Sequence, residues 1–478
     1  MFMLMSMLVG CTIKDPFNIV GEKKIYERKK NERIREVKVS GDFNDWAIHA
    51  TRFLQRSIEG LGHIVEDKEY VLHNGRESKG FDHLILAGFS PNGRKFAYIG
   101  GIEGKWFVVI NGREVKRYDA LSDSGLLGRG RFTKVSSLLF SPDSRQFAYV
   151  VMDKGKSFIV LNDEEHKKYD SILTHVFSPD SKKLAYAAKE GGNWFFRLND
   201  KEGKRYDNVS APVFSPDGSK LAYIAREGEQ YFAVVNGEEG KRYDKIAALP
   251  IFSPDSRKFA YFAMRNTDIF VVINAREFAV DKGSPESGLL LLSNSLRFSP
   301  NGKTLAYKVE SYTPTREGRV VTISGTGSQI YPDTYDFSFS PDGTRFASVA
   351  KAANKYYVVA NGEFGKRYSV ISSTPIFSPD NGKVTYIAEE EGASFVVTNE
   401  AESERYDEII SLPQFCSDSK KILYVAKKGS KMFVVVNDKE RRQYDEIIDF
   451  PRFSPNCKKV GYFARAGNDY FRIVEEID

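Results

Sequence analysis

The stretch from Phe214 to Ile246 reads FSPDGSKLAYIAREGEQYFAVVNGEEGKRYDKI. Pro216-Asp217-Gly218 marks a tight turn, because proline presets φ, aspartate bonds its own backbone and glycine tolerates positive φ. Lys220 to Ala225 then reads as a short strand. Glu227-Gly228-Glu229 reverses the chain into Tyr231 to Val235, a run rich in β-branched and aromatic residues. Asn236-Gly237 is a strong two-residue hairpin signal, since a type I′ turn needs positive φ at both central positions. Lys241 to Ile246 reads as the next strand. With the residues around Val213 as the first strand, one unit is a four-stranded antiparallel meander.

The unit recurs along most of the chain. Phe-Ser-Pro-Asp or a close variant begins at Phe89, Phe140, Phe177, Phe214, Phe252, Phe298, Phe339, Phe377, Phe415 and Phe453. These ten anchors lie 51, 37, 37, 38, 46, 41, 38, 38 and 38 residues apart. A period near 40 with short strands between turns is the pattern of a propeller blade. The last unit runs out after three strands, at Tyr470 to Val474, while Tyr70 to Leu84 reads as a strand end, an Asn-Gly turn and a further strand. An N-terminal strand pair completing the last blade would remove exposed edges. The expected fold is therefore all-β, a propeller of about ten four-stranded blades in one closed ring. Two five-bladed rings, divided near Asp281 to Asn294, are the alternative.

The run FSPDGSKLAYIA resembles the repeats of TolB-type, WD-repeat-like β-propellers, over roughly residues 68–478. The resemblance is carried by the first two strands. The second half, NGEEGKRYD, departs from the usual pattern, and the Trp-Asp and Gly-His signals of eukaryotic WD repeats are absent. The resemblance therefore implies a fold and not a partner.

Three segments are expected: 1–11, 12–67 and 68–478. The apolar Met1 to Val9 followed by Gly10-Cys11 resembles a bacterial lipoprotein leader, with Cys11 as the lipidated thiol and the membrane as a partner through that anchor. This places the protein at the bacterial cell envelope, facing the periplasm; a cytoplasmic propeller is the alternative. Residues 12–67 lie outside the recognised repeat. Glu22 to Lys38 is dense in charge and reads as a solvated tether. Asp45 is placed to cap a short helix carrying Trp46, Ile48, Phe53, Leu54, Ile58 and Leu61. Cys416 and Cys457 occupy different turn positions in adjacent units, so no disulfide is indicated.

The charge balance excludes one class of partner. Lys and Arg number 70 against 64 acids, a formal net charge of +6, without the basic excess of a nucleic-acid binder. Catalytic chemistry is also not legible. The six histidines show no metal-ligand spacing, Gly-x-Ser-x-Gly is absent, and there is no phosphate-binding glycine loop. No catalytic residue, metal or cofactor is assigned. The aspartates repeated after Pro and after Tyr are read as serving the blade, and the Lys-Arg pairs as charged edge strands.

What remains is a loop face. Long connections occupy Leu121 to Val135, Asp281 to Asn294 and Glu310 to Arg319. In a meander blade, second-to-third hairpins and fourth-to-first connections lie on one face, so all three insertions share it. Loops on a rigid scaffold carry function. Leu126, Leu127, Arg129, Arg131, Phe132, Leu289, Leu290, Leu291 and Tyr312 are the candidate contacts for a protein or peptide partner. Trp106, Trp194 and Tyr231 open their third strands beside that face and are candidates for stacking. A non-enzymatic binding scaffold is the reading these features favour. A glycan-acting hydrolase or lyase at the channel mouth is the alternative.

Overall fold

The computed structural model describes residues 21–29, 32–39, 46–58, 62–119, 135–153, 155–246, 249–280, 290–291, 295–310, 318–324, 327–360 and 362–477. The chain is an all-β propeller. Its described strands form eleven antiparallel sheets, taken here as blades 1 to 11 in chain order. Each sheet is open, and its ladder stays within its own blade. Among the described residues no helix is long and apolar enough to cross a membrane.

Blade 5 shows how the repeat folds. Leu221–Glu227 and Gln230–Val235 form its central hairpin. Asn236 and Gly237 adopt φ of 51° and 89°, the pair of positive values that a type I′ turn demands. The Asn236 side-chain oxygen accepts from Leu221 N at 2.9 Å, which joins that turn to the start of the second strand. In the first turn, buried Ser215 donates to Asp217 at 2.6 Å and accepts from Lys220 N at 2.9 Å. The repeated turn aspartate thus serves the turn.

Neighbouring blades are sealed by a repeated wedge. Tyr243, at the outer end of blade 5, is 1% exposed. It meets Tyr261 of blade 6 edge to face, with ring centroids 6.2 Å apart. Its hydroxyl donates to Glu277 of blade 6 at 2.8 Å. Tyr169, Tyr206, Tyr368, Tyr406 and Tyr444 make the same ring contact with the next blade at 6.2–6.3 Å. The aspartate that follows the wedge ties the same seam: Asp207 accepts from Gly228 N at 2.7 Å and Asp445 from Gly467 N at 2.6 Å. Near the first turns, lysines reach across as well, with Lys183 on Gly218 O and Lys220 on Ser256 O at 2.8 Å each.

The blade count is eleven rather than about ten. The additional blade is residues 32–77, which carry no Phe-Ser-Pro-Asp turn. Trp46–Ile58 is a strand paired with Gly62–His73, not the expected helix. Trp46 to Ala50 are all buried, because a blade is covered by a neighbour on each side. A strand covered on both faces loses the alternation that distinguishes it from a helix. The propeller accordingly begins well before residue 68, and the charged segment from Glu22 supplies strands rather than a tether. Two separate five-bladed rings are not observed. A continuous apolar cluster from Ala260 to Tyr307 joins blades 6 and 7, across the point where such rings would part.

An N-terminal strand does complete the last blade, but it is Gly21–Glu27. It pairs with Asp469–Glu476 from Gly21↔Val474 to Glu27↔Asp469. Residues 70–84, expected in that role, instead finish blade 1 and begin blade 2. Glu22 takes the place that Glu277 holds at the wedge of Tyr243: it accepts from Tyr444 at 2.9 Å. Trp46, Ile48 and Tyr70 of blade 1 pack with Phe463 of blade 11.

This last seam holds a buried carboxylate. The Glu32 side chain is 0% exposed, with Arg52 at 2.9 Å. Tyr26 donates to it, and so does Lys29 N at 3.1 Å. Arg52 also grips Glu77 at 2.8 Å and lies 4.4 Å from the centre of the Tyr70 ring. Burial opposes ionisation of Glu32. The hydrogen bonds from Tyr26, Tyr70, Lys29 and Arg52 outweigh it and hold the pKa at about 2.

Cys416 and Cys457 form a disulfide, contrary to the sequence expectation, with Cα atoms 5.9 Å apart. Cys416 stands where Ser stands in most turns, and Cys457 stands at the fifth turn position of the following blade. The ring brings these two turn positions together. In other seams the fifth position instead makes a hydrogen bond, as from Asp217 N to Ser256 Oγ at 3.0 Å.

Two outcomes are expected. Because the folded pKa of Glu32 lies below its ordinary 4.5, its contribution is present above pH 4.5 and lost as pH falls towards 2, amounting to about 3 kcal/mol. Glu32→Gln should melt lower at pH 7 and show a shallower loss of stability over that acid range. Thermal scans at pH 7, 4 and 3 test this, and parallel curves for the two proteins would count against it. Replacing Cys416 and Cys457 by Ser should lower stability by up to about 4 kcal/mol, from the 41-residue separation of the bridge. Denaturant unfolding checks it; no difference would mean that the native protein lacks the bond.

Candidate functional site

A ring of radial sheets has an inner and an outer edge. First strands mark the inner edge, because strands of different blades approach one another there. His83–Phe89 of blade 2 lies against Glu32–Val39 of blade 1 and Val135–Phe140 of blade 3, which in turn meets Ser171–Phe177 of blade 4. Arg297 of blade 7 donates to Phe337 O of blade 8 at 3.3 Å, and Thr374 of blade 9 donates to Asp336 of blade 8.

Every continuous first strand in blades 1, 2, 3, 4 and 8 carries a register shift. In blades 5, 6, 9, 10 and 11 the first strand is broken in two, as with Glu408–Ile409 and Gln414–Phe415. Each break contains a proline: Pro212, Pro250, Pro375, Pro413 or Pro451. Proline cannot donate to a ladder and so belongs on an edge strand, where it discourages further pairing.

The inner edge carries charged residues such as Glu408 and Glu446, and it also carries most of the exposed apolar side chains. Among the described residues, the exposed large hydrophobic side chains are Leu139, Leu173, Leu249, Val370, Ile410, Leu412, Phe450 and Phe364. All but Phe364 belong to first strands or their proline breaks. Leu412 is 54% exposed and Phe450 59%. The sequence carried a signal for three of them: Leu249, Leu412 and Phe450 each precede the proline of an x-Pro-x-Phe run.

The outer edge differs. Lys204 pairs with Glu239 at 2.6 Å, Arg205 with Glu190 at 2.7 Å and Arg242 with Glu227 at 2.8 Å. Arg242 also covers the Phe232 ring at 4.3 Å. These basic residues are spent on neighbouring acids and rings, which leaves little free positive charge for a polyanion.

A groove of ≈ 350 Å³ opens at the seam of blades 5 and 6, lined by residues that include Asn208, Ile224, Arg226, Tyr231, Ile246 and Leu249. Its walls mix apolar side chains with Asn208, Ser210 and Arg226. His175 is buried at the seam of blades 3 and 4, where burial pushes its pKa down to about 4 and Nε2 faces Ala148 O at 3.2 Å. Cys416, Asp418 and Cys457 lie within 4.8 Å of one another, but sulfurs bonded together offer no thiolate to a metal.

Of the residues singled out from sequence, Cys11, Leu126, Leu127, Arg129, Arg131, Phe132, Leu289 and Tyr312 lie outside the described residues. Leu290–Leu291 is a strand, not an insertion loop: it pairs with Val309 and Glu310 as the first strand of blade 7. Trp106, Trp194 and Tyr231 are half-buried in three different seams and are not brought together. Trp106 stacks on His83 with centroids 5.8 Å apart. Only Tyr231 reaches the groove. The second-to-third hairpin of blade 1 is long. Its strands run 13 and 12 residues where those of blade 5 run 7 and 6. That hairpin extends about 20 Å further, at roughly 3.3 Å per residue.

Neither a protein-family model nor a curated protein matches the chain. Solved structures similar to it include a eukaryotic initiation factor, at 13% identity over 72% of this chain and 90% of that one, with a TM-score of 0.37. The Dos1 propeller is 12% identical over 64% of this chain and 91% of its own, at 0.32. TolB from Acinetobacter baumannii is 15% identical over 54% of this chain and 77% of its own, at 0.25. The likeness is too low to carry any inference about function.

The exposed apolar side chains of the inner edge are open to test with a fluorescent apolar dye. The variant Leu412→Asp/Phe450→Asp should bind clearly less dye than the native chain. Both side chains are exposed, so the melting point should move little, within about 0.5 kcal/mol per site. Undiminished dye fluorescence would place the apolar surface elsewhere.

Proposed function

We propose that the chain is a non-enzymatic binding scaffold: one ring of eleven blades that holds a protein or peptide partner on its inner edge and insertion-bearing face. The observation that carries this reading is the concentration of exposed apolar side chains on first strands, seven of the eight among the described residues. Such side chains cost solvation unless a partner covers them. Leu126, Leu127, Arg129, Arg131, Phe132, Leu289 and Tyr312 belong to segments that leave the blades on the same face, and they extend the proposed contact.

The proposed location is the bacterial cell envelope, facing the periplasm. A buried disulfide fits an oxidising compartment, and Cys11 with its apolar leader supplies the membrane anchor.

The test is affinity capture from envelope extract, with the native chain and the Leu412→Asp/Phe450→Asp variant side by side. A protein retained by the native chain and lost from an equally stable variant is the expected result. Equal retention by both would remove the inner edge from the proposal.

A further inference from the structure

At the seam of blades 5 and 6 a cation stands with no acid opposite it in the register. In blade 11 the register pairs Glu446 with Arg465, and their side chains meet at 3.0 Å. In blade 10 it pairs Glu408 with Lys427, at 3.8 Å. In blade 5 the same register sets Asn208 opposite Arg226. The Asn208 side chain accepts from Val209 N at 2.8 Å, so it does not offset the guanidinium. Acids nearby are committed elsewhere: Asp207 accepts from Gly228 N, and Glu227 pairs with Arg242 at 2.8 Å. Arg226 Nε is buried and has no hydrogen-bond partner. The arginine lines the ≈ 350 Å³ groove together with Ile224, Ile246 and Leu249.

We infer that this groove is a binding site for a carboxylate on an apolar body, as at the C-terminal residue of a peptide. Arg226 would take the carboxylate through two parallel N–H donors, the geometry a guanidinium offers and an ammonium does not. Ile224, Ile246 and Leu249 would cover the apolar side chain. The groove volume suits one or two residues and not a folded domain. Asn208 and Tyr231 stand at the strand ends nearest the insertion-bearing face, so a peptide terminus arriving from that face meets Arg226 first. The inference rests on the scaffold reading for the source of the peptide, and names the chemistry of one contact.

Calorimetric titration of the full chain tests it with three probes: N-acetyl-Leu-Leu as the free acid, the same dipeptide as its amide, and octanoate. The free acid should bind at least about tenfold more tightly than the amide, the effect of one charged hydrogen-bonded contact. Arg226→Gln should abolish that preference while melting as the native chain does. Octanoate binding as tightly as the acid peptide would keep the site and make its source a free aliphatic acid. No binding of any probe, or the same acid preference in Arg226→Gln, would overturn the inference. Partner capture is to be repeated with Arg226→Gln. Capture that persists there but fails in Leu412→Asp/Phe450→Asp would sink the carboxylate site and leave the scaffold standing.

Discussion

The wedge tyrosine is the contact on which the rest of the propeller depends. A blade alone exposes two apolar faces, and burying them requires a neighbour on each side. Tyr243 does three things at one seam. It fills the gap between sheets, packs edge to face on Tyr261, and reaches Glu277 with its hydroxyl. Edge-to-face pairs contribute roughly 0.5–1.5 kcal/mol each beyond the area they bury, and the pattern recurs from seam to seam. The hydroxyl matters because it ends at the polar outer edge, where a carboxylate awaits it. Burial and the nearby carboxylate both push the Tyr243 pKa up, so the wedge stays neutral and donates.

The same constraint explains the division of labour between edges. Outer strands carry Lys, Arg and Glu that pair among themselves, which protects an otherwise exposed ladder. Inner strands are protected differently, by bulges and prolines, and these devices leave side chains such as Leu412 and Phe450 uncovered. The concentration of exposed apolar side chains on the inner strands is what gives the scaffold reading its direction. The last seam has to be built from residues far apart in sequence. Glu22 and Tyr26 serve there as Glu239 and Tyr243 serve in blade 5, and the buried Glu32 cluster locks the join.

Much of the fold was legible because the repeat states its turns. Ser-Pro-Asp-Gly and Asn-Gly each specify a backbone conformation locally, and both were read correctly. Blade 1 was illegible for the converse reason: it lacks the Ser-Pro-Asp turn, and its doubly covered strand has no alternation. The closing strand was hidden in a charge-rich run, although Glu22-Lys-Lys-Ile-Tyr26-Glu27 repeats the spacing of Glu239 to Asp244. The disulfide was missed because two unlike turn positions face each other only once the blades are set in a ring. The candidate site was legible in part. The inner-edge apolar residues and Arg226 gain meaning only from which strand is innermost and what stands across from it.

Amide hydrogen exchange on the native chain, compared with a chain lacking residues 21–27, tests the closure most directly. If Gly21–Glu27 completes the last blade, its removal should strip protection from Asp469–Glu476 and from the Tyr444 seam, while blades 4 to 6 keep theirs. Unchanged protection over Asp469–Glu476 would contradict the closure and, with it, the single ring.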